Sequence, residues 1–228
     1  MAATIISRVI GLLYRSPLGE TIGNEGLGYY STASNLYTIL LLISSYSIPM
    51  AVSKIVSERL ALKEYRNAHR VFHGALLYAV IVGGVAALVA FFGGKFLLPY
   101  NQQNALLALR VLAPTIFFSA VLGVLRGYFQ AHSTMMPTSI SQIIEQVFNA
   151  AFSIGAAWFF IQQFATNDTE HAKFGAAGGT LGTGAGVLAG LCFMVIVYGV
   201  NRKTILRKVA KDTRHAKNPT AKFFRFFF

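Results

Sequence analysis

The stretch from residue 174 to residue 201, FGAAGGTLGTGAGVLAGLCFMVIVYGVN, contains no charged side chain. A helix crosses the hydrocarbon core of a bilayer with about 20 apolar residues, so this run is long enough to span a membrane. Its glycines recur every four residues, at Gly178, Gly182, Gly186 and Gly190. Glycines at this spacing share one helix face and let a neighbouring helix approach closely. The stretch therefore predicts a membrane helix that packs through its glycine face.

The composition of the whole chain indicates the same class of protein. Of its 228 residues, 54% are hydrophobic and only 12% are charged. Five further candidate spans are residues 2–18, 27–52, 71–94, 105–125 and 140–163. We therefore predict an all-α, polytopic membrane bundle of about six transmembrane helices over residues 1–201, followed by a basic tail at residues 202–228.

The distribution of lysine and arginine predicts the orientation of the bundle. With the amino terminus inside, the inner segments hold fifteen of the twenty basic residues and the outer segments hold two. Cytoplasmic loops of membrane proteins carry such an excess. We predict a membrane protein, surrounded by lipids, with its amino terminus and basic tail in the cytoplasm. The net charge of +12 is explained by topology, so no nucleic-acid partner is predicted.

Motifs of enzymatic chemistry are absent from the sequence. It contains no G-x-x-x-x-G-K-[ST], no H-E-x-x-H and no G-x-S-x-G. Gly184, Gly186 and Ala189 offer the spacing of a dinucleotide-binding loop, but no strand precedes them and no acidic ribose partner follows. His69 and His73 lack an acidic or cysteine partner nearby. We therefore predict no catalytic residue, no cofactor and no metal site.

Two arginines interrupt the first candidate span. Arg8 and Arg15 are seven residues apart, close to two helical turns, so on one helix they point the same way about 10.5 Å apart. A guanidinium at bilayer depth costs several kcal/mol, which favours a protein cavity where a pyrophosphate bridges both side chains. The alternative is that the two arginines extend to opposite membrane interfaces.

A polar stripe runs along the fifth candidate span. Gln142, Glu145, Gln146 and Asn149 follow the i, i+3, i+4, i+7 spacing of one helix face. Such a stripe on an apolar helix faces a bundle interior or a wet cavity. It indicates either a proton or cation relay or substrate contact, or else a polar seam between helices near the cytoplasmic end.

Three segments of the chain resemble a known family. They are SRVIGLLYRSPL at 7–18, GNEGLGYYSTASNLYTILLLISSYSIPMAVSKIVSE at 23–58 and RGYFQAHSTMMPTSISQIIEQVFN at 126–149. The chain is similar, over about residues 3–210, to the amino-terminal half of the polysaccharide biosynthesis proteins of the stage V sporulation protein B group. These are related to the MurJ lipid II flippases in the multidrug/oligosaccharidyl-lipid/polysaccharide exporter superfamily. The resemblance implies one of two helical bundles around a central cavity, and ATP-independent flipping of undecaprenyl-linked sugar precursors by alternating access.

The resemblance also implies roles for individual residues. Arg8 matches the arginine of the family's first helix, and Arg15 corresponds to a second cavity arginine at a spacing that differs by one residue. Glu25 occupies the acidic position at the start of the second helix. A second-helix arginine of the MurJ type has no counterpart within residues 27–52, and Lys54 is a poor substitute for bidentate phosphate recognition. The predicted contacts of a lipid-linked pyrophosphoryl oligosaccharide are therefore Arg8, Arg15, Glu25, Glu145 and Asn149.

The resemblance predicts that transport requires a missing carboxy-terminal half or a partner chain. We interpret the tail and its final run KFFRFFF, residues 222–228, as the start of a linker in a truncated or frame-shifted reading frame. A cation-coupled multidrug exporter is the alternative function within the superfamily, although it would favour acidic cavity residues. A non-transporting scaffold subunit in cell-wall assembly is the alternative from another class.

Overall fold

A computed structural model describes residues 2–44 and 47–210, apart from the side chains of residues 2, 3, 4, 6 and 8. The described residues form helices joined by short turns, without a strand, which confirms the predicted all-α class. The helices are α1 (Ala2–Leu13), α2 (Arg15–Ser44), α3 (Ile48–Ala61), α4 (Tyr65–Leu97), α5 (Leu106–Ala131), α6 (Met136–Phe164) and α7 (Asp168–Ala210), with a 3₁₀ helix at Tyr100–Ala105 before α5.

Five helical stretches among the described residues are long and apolar enough to cross a membrane. They are Val9–Ala61, Tyr65–Leu97, Tyr100–Ala131, Met136–Phe164 and Asp168–Ala210. The multi-pass membrane class is therefore confirmed. The stretch Val9–Ala61 has 53 residues and takes in most of two candidate spans, 2–18 and 27–52. The 12 residues of α1 are fewer than the roughly 20 that a crossing needs.

The first two candidate spans are joined by helix rather than by a loop. Across the junction at Tyr14, helical hydrogen bonds persist: the backbone N–H of Tyr14 donates to Ile10 O at 3.2 Å and that of Leu18 donates to Tyr14 O at 3.1 Å. Further on, α2 kinks at Gly23, whose φ is 73°. This left-handed conformation costs glycine little and disfavours other residues. The boundary expected between the spans is thus a kink inside α2.

The glycine face of α7 lies against α6. All four glycines are buried: Gly178, Gly182, Gly186 and Gly190. A Cβ added to Gly182 would stand 2.6 Å from the Cα of Ser153, and one added to Gly178 would stand 2.6 Å from the Cα of Ala157. The hydroxyl of Ser153 donates to the carbonyl of Gly179 at 2.8 Å. The absence of side chains therefore lets the two backbones touch, and this contact fixes the position of the polar stripe of α6.

The helix connections gather at two ends of the bundle. Tyr65, His132 and Lys208 line one cavity of about 240 Å³, so the α3–α4 turn, the α5–α6 turn and the end of α7 lie together. The 3₁₀ helix lies beside α2 at the other end of α5, where Asn104 Nδ2 donates to Tyr29 Oη at 3.1 Å. The basic segments 53–70 and 202–210 thus share one end, as the predicted topology requires.

Cysteine labelling tests the orientation. In a Cys192→Ala background, single cysteines at Leu62 and Asp212 are expected to resist a membrane-impermeant thiol reagent in intact cells, whereas one at Asp168 is expected to react. The reason is the excess of basic residues in the segments that contain the first two positions. Permeabilised cells provide the control, in which all three must react. Labelling of Leu62→Cys from outside would reverse the topology.

Candidate functional site

A polar cavity of about 600 Å³ opens between α1, α2, α5, α6 and α7. The charged and amide side chains in its lining are Arg15, Arg126, Gln142, Glu145, Gln146 and Asn149. Around it, the outer surface of the bundle exposes large hydrophobic residues, as expected of a protein surrounded by lipid. Polar side chains inside such a bundle line substrate or ion pathways, which makes this cavity the candidate functional site.

The polar stripe of α6 faces this cavity. All four of its residues line it: Gln142, Glu145, Gln146 and Asn149. The opposite face of the helix exposes Ile140 and Val147, and Phe148 and Phe152 lie between the two faces, with their ring centroids 5.9 Å apart. Because the period of a helix is 3.6 residues, one face of α6 is polar and the other apolar.

Asn149 connects the cavity wall to the interface between α6 and α7. Its Oδ1 lies 3.0 Å from Ser153 Oγ and 3.5 Å from Thr183 Oγ1. Asn149 itself is buried. Its side chain therefore holds the wall beside Glu145 in place through partners on both helices.

Arg126 and Glu145 form an ion pair in the cavity lining. Arg126 Nη2 donates to Glu145 Oε2 at 2.6 Å, and Arg126 Nε donates to Ser141 Oγ at 2.9 Å. Their side chains are 15% and 21% exposed. The sequence interpretation counted Arg126 as a cytoplasmic loop residue because the candidate span ended at residue 125. The available signal was the uncharged run that follows it, residues 127–131, which indicates that the helix extends beyond residue 125.

Arg15 lines the same cavity from the start of α2. Beside it, the hydroxyls of Tyr14, between α1 and α2, and Tyr30 on α2 are 3.0 Å apart in a hydrogen bond. The two ion pairs recorded within residues 2–44 and 47–210 are Arg59–Glu64 and Arg126–Glu145, so neither of them includes Arg15. Arg15 is exposed, and it also lines a smaller neighbouring cavity with Leu18, Leu27 and Asn35.

Two of the predicted site residues, Arg8 and Glu25, are not among the described residues that line the cavity. Arg8 belongs to α1, but its side chain lies outside the described part of the chain, so the pairing of Arg8 with Arg15 stays a prediction. Glu25 is absent from the cavity lining. It is exposed and accepts a hydrogen bond from Tyr29 Oη at 2.5 Å, near the 3₁₀ helix. The geometry therefore separates Glu25 from Arg15 and Glu145.

The charges of the cavity favour an anionic ligand. The described lining carries two guanidinium groups and one carboxylate. A guanidinium presents a planar fork of donors that matches phosphate oxygens. The amides of Gln142 and Gln146 add neutral donors and acceptors of the kind that bind sugar hydroxyls. The cavity can therefore hold a polar, anionic headgroup inside a membrane bundle.

The sequence profile described as polysaccharide biosynthesis protein matches residues 1–226. The chain belongs to this family. Stage V sporulation protein B of Bacillus subtilis strain 168 is 27% identical over 214 residues, which are 91% of this chain and 39% of that protein. Lipid II flippase MurJ of the same strain is 25% identical over 171 residues, which are 71% of this chain and 31% of that protein.

Membership of the polysaccharide biosynthesis family confirms the resemblance predicted from the sequence. A third similar protein, the uncharacterized membrane protein YabM of Bacillus subtilis strain 168, is 24% identical over 193 residues, 84% of this chain and 35% of that protein. The chain thus spans less than two fifths of the length of these curated relatives. Family and helical class identify it as a multi-pass membrane protein of the polysaccharide biosynthesis family.

Proposed function

We propose that this chain forms the first bundle of a flippase for lipid-linked oligosaccharides, of the kind used in peptidoglycan or polysaccharide synthesis, in the bacterial cytoplasmic membrane. The observation that carries the proposal is the cavity of about 600 Å³ with Arg15 and Arg126 in its lining. A sugar headgroup needs a wet path across the hydrocarbon, and its diphosphate needs a cation at that depth. The similarity to a protein named lipid II flippase supports the same substrate class.

Arg15 is the proposed primary contact of the diphosphate. Its guanidinium belongs to neither recorded ion pair, so binding an anion there breaks no existing ion pair. We propose Arg8 as a second cation, seven residues earlier along the same run of helix. α1 packs beside the stripe of α6, since a Cβ on Gly11 would lie 3.4 Å from Gln146 Oε1. That contact places α1 next to the amides that would bind the headgroup.

Transport in this proposal follows alternating access. A bundle that carries the cargo site moves against a second bundle, and the cavity opens first to one side of the membrane and then to the other. The second bundle is supplied by a carboxy-terminal half or a partner chain. The cargo can shift this equilibrium only through a difference in affinity between the two states. Arg15 supplies this difference in affinity if the second bundle completes the cargo site in only one of the two states.

Binding of undecaprenyl diphosphate to the 228-residue protein in nanodiscs tests the proposal. Arg15→Ala is expected to weaken binding by about tenfold to a hundredfold, the range for loss of a charge-assisted hydrogen bond, and Arg15→Lys by less because it keeps the charge. Arg202→Ala, which removes an exposed cation outside the cavity, is the matched control. Equal affinity of the parent and Arg15→Ala, or equal affinity for uncharged undecaprenol, would contradict the proposal.

Two further readouts separate the alternative functions. A cation-coupled multidrug exporter would bind a quaternary ammonium probe in competition with the diphosphate, and Glu145→Gln would abolish that binding. A scaffold subunit would bind the diphosphate but give no flux in liposomes, even beside a chain that carries the second bundle. The flippase proposal expects no ammonium binding, and flux only when the second bundle is present.

A further inference from the structure

A further cavity lies on the outer face of the bundle, outside the polar site. It has a volume of about 350 Å³ and is formed between α4 and α5. Its lining is entirely apolar: Gly84, Ala87, Leu88, Phe91, Ala113, Pro114, Phe117 and Phe118. We call this cavity the α4–α5 groove.

The groove results from how α4 and α5 pack. The helices touch on either side of it, since a Cβ on Gly83 would stand 2.8 Å from Ala120 Cβ and one on Gly94 would stand 3.1 Å from Leu109 Cδ2. Between these contacts, small residues and Pro114 leave space that no side chain fills. The floor is supported from behind by a small core that includes Ala113. The groove is therefore a fixed feature of the packing.

A cation stands at one end of the groove. The Arg110 guanidinium carbon lies 5.8 Å from the ring centroid of Phe91, and Phe91 is part of the groove wall. In the part of the chain that the structure describes, Arg110 belongs to neither of the two recorded ion pairs. Its side chain is exposed. The groove thus combines an apolar channel with a positive charge that is available to an anion.

The depth of Arg110 matches the headgroup region of a bilayer. It lies four residues after the start of α5 at Leu106, about 6 Å along the helix. The 3₁₀ helix before α5 contains polar residues and the fully exposed Tyr100, a residue type enriched at membrane interfaces. From Arg110 to Phe117 the helix rises about 10 Å further into the hydrocarbon. A cation at headgroup level next to an apolar channel matches the two parts of a phospholipid, its phosphate and its acyl chain.

We infer that the α4–α5 groove binds an anionic phospholipid, with an acyl chain in the channel and the phosphate on Arg110. An apolar groove in a membrane helix bundle contacts acyl chains in any bilayer, so the specific element is the selection of an anionic headgroup by Arg110. The inference is independent of the proposed transport function, because it uses neither Arg15 nor the polar cavity. One basic residue near an anionic lipid surface supports about a fivefold preference.

Quenching by brominated lipids tests the inference. Trp158 is the single tryptophan of the chain and is 57% exposed on α6. The double variant Trp158→Phe/Phe117→Trp moves the reporter into the groove wall. In mixed bilayers, we expect brominated phosphatidylglycerol to quench the groove reporter with about fivefold preference over brominated phosphatidylcholine. The parent, with Trp158 as its reporter, is expected to give no such preference.

Variants assign the preference to Arg110. Arg110→Gln in the reporter background is expected to abolish it, whereas Lys173→Gln should keep it. Lys173 is a matched control because its Nζ lies 5.9 Å from the ring centroid of Phe174, away from the groove. Gly84→Leu fills the channel, since the Cβ at this position meets only a ring carbon of Phe117 at 4.0 Å. It is expected to reduce quenching by either lipid.

Three results would overturn the inference. They are equal quenching of the groove reporter by the two brominated lipids, a preference that survives Arg110→Gln, and displacement of brominated phosphatidylglycerol by low mole fractions of polyprenyl diphosphate. The last result would assign the groove to the chain of the transported lipid. Failure of diphosphate binding at Arg15 would leave the inference intact, so the two proposals fail separately.

Discussion

Gly182→Ala is expected to destabilise the bundle by about 1–3 kcal/mol, the usual cost of overpacking a core. The new Cβ would stand 2.6 Å from the Cα of Ser153, so the backbones of α6 and α7 must separate. Separation also weakens the hydrogen bond from Ser153 Oγ to Gly179 O. For a domain of about 200 residues, each kcal/mol lowers Tm by about 2–4 °C. The measurement is thermal unfolding in detergent, followed by circular dichroism.

Gly199→Ala on the same helix is the matched control. No heavy atom lies within 4 Å of its added Cβ, and alanine is a better helix former than glycine by about 1 kcal/mol. Its Tm should therefore equal or exceed that of the parent. If Gly182→Ala has the same Tm as the parent, the glycine face does not form the close contact between α6 and α7.

Breaking the Arg126–Glu145 ion pair is expected to change stability and ligand binding in different ways. Arg126→Gln or Glu145→Gln should each destabilise the bundle by about 1–3 kcal/mol, because each removes a charge-assisted hydrogen bond and leaves a largely buried charge unpaired. The double variant should recover part of this loss, since neither charge remains. A coupling energy of about 1 kcal/mol or more in the double-mutant cycle would support the ion pair between Arg126 and Glu145.

The same variants are expected to shift diphosphate affinity in opposite directions. Glu145→Gln frees the Arg126 guanidinium for phosphate and should strengthen binding, whereas Arg126→Gln should weaken it. The control is Glu64→Gln, which breaks the Arg59–Glu64 ion pair. The side chains of that pair are similarly enclosed, at 12% and 22% exposure, but they lie outside the cavity lining. Weaker binding in Glu145→Gln would instead make Glu145 a ligand contact.

Much of the cavity follows from local patterns in the sequence. The polar residues of α6 recur at helical spacing, so their common face could be predicted without a structure, and the same holds for the glycines of α7. The pairing of Arg126 with Glu145 was missed because the two residues lie nineteen positions apart on different helices. Glu25 was grouped with Arg15 by resemblance, but the kink at Gly23 and the bond from Tyr29 place it apart.

The sequence by itself determined the membrane class, the helical faces and the family, because hydropathy and the helical period are properties of neighbouring residues along the chain. It did not show that helix continues between the first two candidate spans with a kink at Gly23, since hydropathy does not distinguish a loop from a kinked helix. Only the tertiary structure decided which faces meet. The close contact of α6 with α7, the ion pair in the cavity and the α4–α5 groove all depend on packing between helices distant in sequence, where side-chain size and shape select the contact.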